Sequence, residues 1–147
     1  MTIQIFVVDT NVVVAGLITT QQDSPVAVLL DAMLSGAIIH LLSPKLLSEY
    51  RSVLLRPRLG KLHGLSEEEI DRLLVELTAN AIWREPASSA HAPDRGDDHL
   101  WELLHSFPGS ILITGDRLLI ANPPERDSVM LPRTFFERFQ SASGPNR

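Results

Sequence analysis

The segment IQIFVVDTN, residues 3–11, constrains the fold more than any other stretch. A continuous β-branched apolar run reads as a central strand, covered on both faces. It stops abruptly at Asp9, Thr10 and Asn11. A strand of this kind needs parallel neighbours, and parallel neighbours need helical crossovers.

The remaining chain supplies them. A polar loop, TTQQDS, precedes Ser24-Pro25, an N-cap followed by proline at the first helical position. That helix is expected to run to about Ser35 and to end at Gly36. AIIHLL (37–42) reads as a second strand, and Ser43-Pro44 opens a helix that stops before Pro57. Ser66 and Glu69 form a capping box ahead of Ile70, Leu73, Leu74 and Leu77 at helical spacing. AIW (81–83) is a short third strand, and EPASSAHAPDRG (85–96) is a loop. DDHLWELLHSF (97–107) is a helix, SILIT (110–114) a fourth strand, VML (129–131) a fifth, and PRTFFERF (132–139) a last helix. With no internal repeat or linker, the expectation is one domain over residues 1–140 and a frayed tail at 141–147. The expected fold class is α/β, a three-layer α/β/α arrangement on a mostly parallel sheet of four to five strands.

Composition sets limits on the chemistry. The 147 residues include no cysteine, which removes disulfides, thiolate zinc sites and cysteine nucleophiles. No apolar run approaches the roughly 20 residues of a membrane span, so the reading is a soluble, cytoplasmic protein with no membrane partner. A net charge of −5 argues against coating nucleic acid by bulk charge. It leaves room for an enzyme that handles nucleic acid through cations held by clustered carboxylates.

Two strands end alike: FVV runs into Asp9, and ILIT into Gly115-Asp116. In a parallel sheet both aspartates fall at the carboxyl edge, where such folds bind ligands. Asp97 and Asp98 open a helix at that edge, one free to cap while the other faces the cleft. Glu49 lies at the rim of the stripe Leu46, Leu47, Tyr50, Val53 and Leu54, at about 100° per residue. Asp9, Glu49, Asp98 and Asp116 are therefore expected to converge. Carboxylates brought together repel unless a cation neutralises them. Hard oxygen donors suit Mg²⁺ or Mn²⁺, which can acidify a water and stabilise a leaving oxygen in phosphodiester hydrolysis. Taken singly, each acid has a plainer explanation as a turn, cap or solvated residue; the joint pattern is more specific.

The blocks FVVDTNVVVAGL, SPKLLSEYRSVL, DRGDDHLWELL and ILITGDRLL, in this order from residue 3 to about 119, resemble the PIN-domain nucleases. They resemble in particular the VapC-like toxins of bacterial toxin–antitoxin pairs. The resemblance implies metal-dependent endonucleolytic cleavage of RNA, with Mg²⁺ or Mn²⁺ on Asp9, Glu49, Asp98 and Asp116. Spacing to Thr114 favours Asp98 over Asp97 within that pattern, with Asp97 as a second contributor. Asn11 and Thr114 correspond to polar residues that support the acids. A homodimer and a small antitoxin partner are also implied. A further Asp, common two residues beyond the fourth acid, is here Leu118.

Residues 45–61 carry Lys45, Arg51, Arg56, Arg58 and Lys61 against the single acid Glu49. This stretch, and Arg51, Arg56 and Arg58 in particular, is expected to grip RNA phosphates. The five histidines show no zinc spacing, and Trp83 and Trp101 are expected in the core. Two other readings stand beside the nuclease. A haloacid-dehalogenase-like phosphatase would need a second Asp where Asn11 stands and a late lysine, but the only lysines are Lys45 and Lys61. A PIN-like module that binds RNA or protein without turnover is the other.

Overall fold

The computed structural model describes residues 3–86 and 91–142. Its elements, in chain order, are β1 (Ile5–Val8), α1 (Thr10–Ile18), α2 (Pro25–Ser35), β2 (Ile39–Leu42), α3 (Pro44–Leu54), α4 (Pro57–His63) and α5 (Glu67–Ala79). Then follow β3 (Ala81–Trp83), a 3₁₀ turn (Arg95–Asp97), α6 (Asp98–Ser106), β4 (Ile111–Ile113), α7 (Arg117–Ala121), β5 (Val129–Met130) and α8 (Pro132–Ala142). The five strands form one parallel sheet in the order β3-β2-β1-β4-β5. Helices flank it to give the expected three-layer α/β/α arrangement.

β1 is central, as its continuous apolar run requires. It pairs with β2 on one side and with β4 on the other. The chain moves outward from β1 to β3, then returns to place β4 against the opposite edge of β1. That reversal is a topological switch point, and it opens a crevice at the carboxyl ends of β1 and β4. The Asp9 N–H donates to the Ile113 carbonyl at 3.0 Å, so pairing continues past the strand and carries Asp9 to the crevice.

Local signals account for most boundaries. Ser24 caps α2 through the Ala27 N–H, and Gly36 ends it at φ 79°. Ser43 caps α3 in the same manner, and Ser66 with Glu69 closes the capping box of α5. Three helices depart from expectation. α1 occupies a stretch to which the sequence assigned no element, since VVV favours strands in isolation; Asp9 caps it and Val12 and Val13 bury its inner face. Gly16 lets α1 approach α2 so closely that a Cβ there would lie 2.6 Å from the Val26 carbonyl oxygen. α4 starts at the proline that stops α3, with Pro57 at its first turn. α7 is a single short turn capped by Asp116.

The core runs along both faces of the sheet: Val7, Val8, Leu41, Leu42, Leu112 and Ile113 meet Leu29, Met33, Leu46, Tyr50, Leu77 and Leu103, all buried. Trp101 joins it as expected, but Trp83 on the edge strand is 43% exposed. α8 extends through Ala142, two residues into the segment expected as a tail, and 143–147 lie outside the described residues. The predicted loop at 85–96 lies partly outside them, and its last two residues enter the 3₁₀ turn. Among the described residues no helix is long and apolar enough to cross a membrane.

Candidate active site

Asp9 is set by two strands and a helix. Its backbone belongs to the end of β1, and its side chain caps α1: Oδ1 accepts from the Thr10 N–H at 2.8 Å. Oδ2 accepts from the Thr114 hydroxyl at 2.7 Å and from the Asn11 amide at 3.2 Å. Thr114 Oγ1 also accepts from the Asp116 N–H at 3.0 Å, and Asn11 Oδ1 accepts from the Gly115 N–H at 3.1 Å. A closed network thus joins the end of β1 to the end of β4. Asn11 and Thr114 are both members of this network. Burial nonetheless raises the Asp9 carboxyl above its ordinary range, against the opposing pull of Thr114 and Thr10, and Glu49 adds repulsion.

Glu49 reaches the same region from α3. Tyr50, fully buried next to it, donates its hydroxyl to the Val8 carbonyl and fixes α3 against the end of β1. Thr10 donates its hydroxyl to Glu49 Oε1. His99 Nε2 lies 3.4 Å from Glu49 Oε2, and this neighbour, with Thr10, holds the Glu49 carboxyl below its usual range despite desolvation. At 3.4 Å the contact is at the long limit of a hydrogen bond, and among the described residues neither ring nitrogen of His99 has another partner.

The third strand-edge acid is Asp97, not Asp98. A groove of about 520 Å³ is lined by Asp9, Thr10, Asn11, Glu49, Asp97 and Asp116, with Val14, Ala15, Ile18 and Val53 along one wall. Asp98 turns away. It accepts from the Ala92 N–H at 2.7 Å and lies 3.4 Å from His91, and the Ala92 bond holds it below the usual carboxylate range. Asp97 is pushed up to about 6, by burial first and then by repulsion from Asp9, Asp94, Asp116 and Glu49. The expected placement of Asp98 in the cleft is therefore corrected by one residue. Helical periodicity carries the signal: Asp97 lies three, four and seven positions before Leu100, Trp101 and Leu104, on their inward stripe. Asp98 precedes Glu102 and His105 by four and seven, on the outward side.

Arg51 is corrected as well. Its guanidinium donates to Asp71 and Glu67 of α5, each at 2.8 Å, and is committed to an exposed ion-pair cluster away from the groove. Arg56, the N-cap of α4, and Arg58 on it are exposed, and α4 packs against α1 and α3. Thr10 and His99 are the contributors that the sequence reading assigned no definite part. Leu118 is half exposed, and its N–H donates to Asp116 Oδ1.

The donor set is all hard oxygen, and its mutual repulsion is the kind that a divalent ion relieves. Among the described residues, however, no three acidic or histidine side chains already converge as ligands. Asp97 and Asp116 are only partly buried, whereas Asp9 is buried and held by its network. A second cavity, of about 500 Å³, opens at the amino edge between Phe6, Ile39, Ile111 and Phe135 and has no carboxylate among its described lining residues.

Fold and site together define a three-layer α/β/α protein with an acidic cleft at the carboxyl edge of a parallel sheet. The PIN domain matches residues 6–118, most of the sequence. The chain belongs to the PIN-domain family, whose members are generally nucleases that use divalent metals. Comparison with curated proteins gave no match, and comparison with solved structures gave none.

Proposed function

We propose that the protein is a Mg²⁺- or Mn²⁺-dependent endoribonuclease acting in the cytoplasm, the toxin of a toxin–antitoxin pair, homodimeric and restrained by a small antitoxin. The observation that carries the catalytic part is the gathering of Asp9, Glu49, Asp97 and Asp116 around one groove, where burial first and then repulsion from neighbouring acids push Asp97 up to about 6. The toxin, dimer and antitoxin parts rest on the resemblance to VapC-like proteins.

Asp9 presents a carboxylate whose position is set by Thr114, Asn11 and the Thr10 N–H. Asp97 and Asp116 supply the further oxygens that would hold a divalent ion. Such an ion, when bound, supplies Lewis-acid polarisation of the phosphodiester and a more acidic attacking water. Glu49 stays ionised beside His99 and Thr10 and orients water on the α3 side of the groove. The crevice at the sheet's switch point is open, which lets a chain lie across it rather than end in it.

The test uses purified protein with structured and unstructured RNA in Mg²⁺, Mn²⁺ or EDTA. Cleavage is expected only with metal, and Asp9→Asn and Asp97→Asn should each lower it by about 100-fold or more. Asp98→Asn should stay within a few-fold of the unaltered protein. Tight RNA binding without any cleavage would replace the enzyme with a binding module. Release of inorganic phosphate from small phosphomonoesters would replace it with a phosphatase. A small protein encoded by a neighbouring gene, if it binds and inhibits, supports the antitoxin.

A further inference from the structure

The cavity at the amino edge lies at the opposite end of the sheet from the acidic cleft, and nothing in the proposed cleavage uses it. It holds about 500 Å³ where β1, β2 and β4 begin and α8 packs beneath them. Phe6, Ile39 and Ile111 line it from the strands and are only partly buried. Ile38, Met130 and Phe135 line it as well and are buried. The Phe6 and Phe135 rings meet edge-on, with centroids 5.3 Å apart. Ile3 at the same cavity is 68% exposed, so its mouth is open to solvent.

Two lining side chains are polar enough to direct a ligand. Gln4 commits its amide nitrogen to the Ile5 and Gly109 carbonyls, at 2.9 and 2.8 Å. Arg138 of α8 is exposed and makes no ion pair among the described residues. It carries the one formal charge among the described lining residues. Water inside such a space finds few polar partners, so an apolar body displaces it readily. The volume falls within the range of about 300–1,000 Å³ usual for small-ligand sites, which combine apolar walls with a few polar groups.

The lining restricts the ligand's chemistry. A cation would face Arg138 with no carboxylate to receive it. A small inorganic anion would leave the hydrocarbon walls uncovered. A neutral hydrocarbon would fill the walls and leave the guanidinium without a partner. An apolar body ending in a carboxylate satisfies both parts, because guanidinium and carboxylate pair by charge-assisted hydrogen bonds. We propose that the amino-edge cavity binds one small amphipathic carboxylate of the medium-chain fatty acid class, its hydrocarbon against Phe6, Ile39, Ile111 and Phe135 and its head group on Arg138. This site stands independently of the nuclease reading.

Calorimetric titration of the full chain with decanoate, kept below its micellar concentration, tests the proposal. One ligand per chain is expected, and affinity should rise about tenfold from octanoate to decanoate, because each buried methylene adds to the apolar transfer. Decanoate at about a hundredfold excess over its Kd should raise the melting temperature by about 5 °C or more. Arg138→Gln should weaken decanoate about threefold and leave decanol unchanged, a difference that general loosening of the fold would not produce. Ala37→Phe, at an exposed lining position, fills the space and should weaken decanoate and decanol alike by about tenfold. Circular dichroism establishes that both variants are folded, and the exposed Arg138 keeps the test available should Ala37→Phe unfold. Absence of saturable decanoate binding would overturn the site, as would equal affinity for decylammonium or indifference to both substitutions. A chain that refuses decanoate and self-associates in sedimentation velocity would overturn it too, and would give the cavity to a second copy.

Discussion

At the residue scale, Asp97 shows how a charge can oppose the fold it sits in. Its folded pKa of about 6 lies above the ordinary 3.8. Between those values the folded state binds more protons than the unfolded one, so this group favours folding as pH falls through 6 and disfavours it at neutral pH. Asp97→Asn should therefore raise the melting temperature of metal-free protein at pH 7, and the gain should vanish near pH 4. Calorimetry at the two pH values checks this. Mg²⁺ or Mn²⁺ should raise the melting temperature of the unaltered protein and do so far less in Asp97→Asn. A destabilised Asp97→Asn at pH 7 would mean that its carboxylate is a structural partner and not a crowded one.

At the scale of elements, α1 and α4 matter most, and both were invisible as helices. The β-branched run after Asp9 has strand propensity, and only docking on α2 makes it helical. Gly16→Ala tests that docking. The added methyl meets the Val26 carbonyl oxygen at 2.6 Å, backbone that cannot turn aside, so about 2 kcal/mol of stability should be lost in denaturant unfolding despite alanine's better helix propensity. α4 offers the opposite case, since none of its side chains is buried. Arg56→Glu with Arg58→Glu should leave stability and metal binding unchanged and weaken RNA binding, with a shallower salt dependence. Unaltered RNA affinity in that double variant would remove α4 from the interface. Arg51 does not belong in that test, because Glu67 and Asp71 already hold it.

At the scale of the whole molecule, the buried sheet carries one ionisable group that the site does not use. His40 on β2 is fully buried, neither ring nitrogen has a hydrogen-bond partner, and burial lowers its pKa to about 4. The Leu77 backbone pulls weakly the other way, short of hydrogen-bond geometry. The unfolded chain takes up a proton near the ordinary 6.5 while the folded one stays neutral, so stability falls as pH drops from 6.5 to 4. Full protonation of the unfolded state alone is worth roughly 3 kcal/mol. His40→Leu should flatten that part of the stability–pH curve, measured by urea unfolding at intervals across the window. An unchanged slope would mean that other groups govern acid unfolding.

The sequence by itself determined the strand and helix alternation, the parallel sheet and the two carboxylates at strand ends. These follow from local periodicity and capping chemistry, which any short window displays: FVV before Asp9, Ser24-Pro25, Ser43-Pro44, and Ser66 with Glu69. Tertiary structure alone decided which face each borderline side chain took. Asp97 and Asp98 differ by one position on a helix, about 100° of rotation, and only packing of Leu100, Trp101 and Leu104 against the sheet sets which carboxylate turns inward. The same holds for Arg51, drawn to α5 by Glu67 and Asp71, acids 16 and 20 residues away in sequence. Adjacent residues share composition and propensity; what separates them is the direction of a neighbour that the local sequence does not contain.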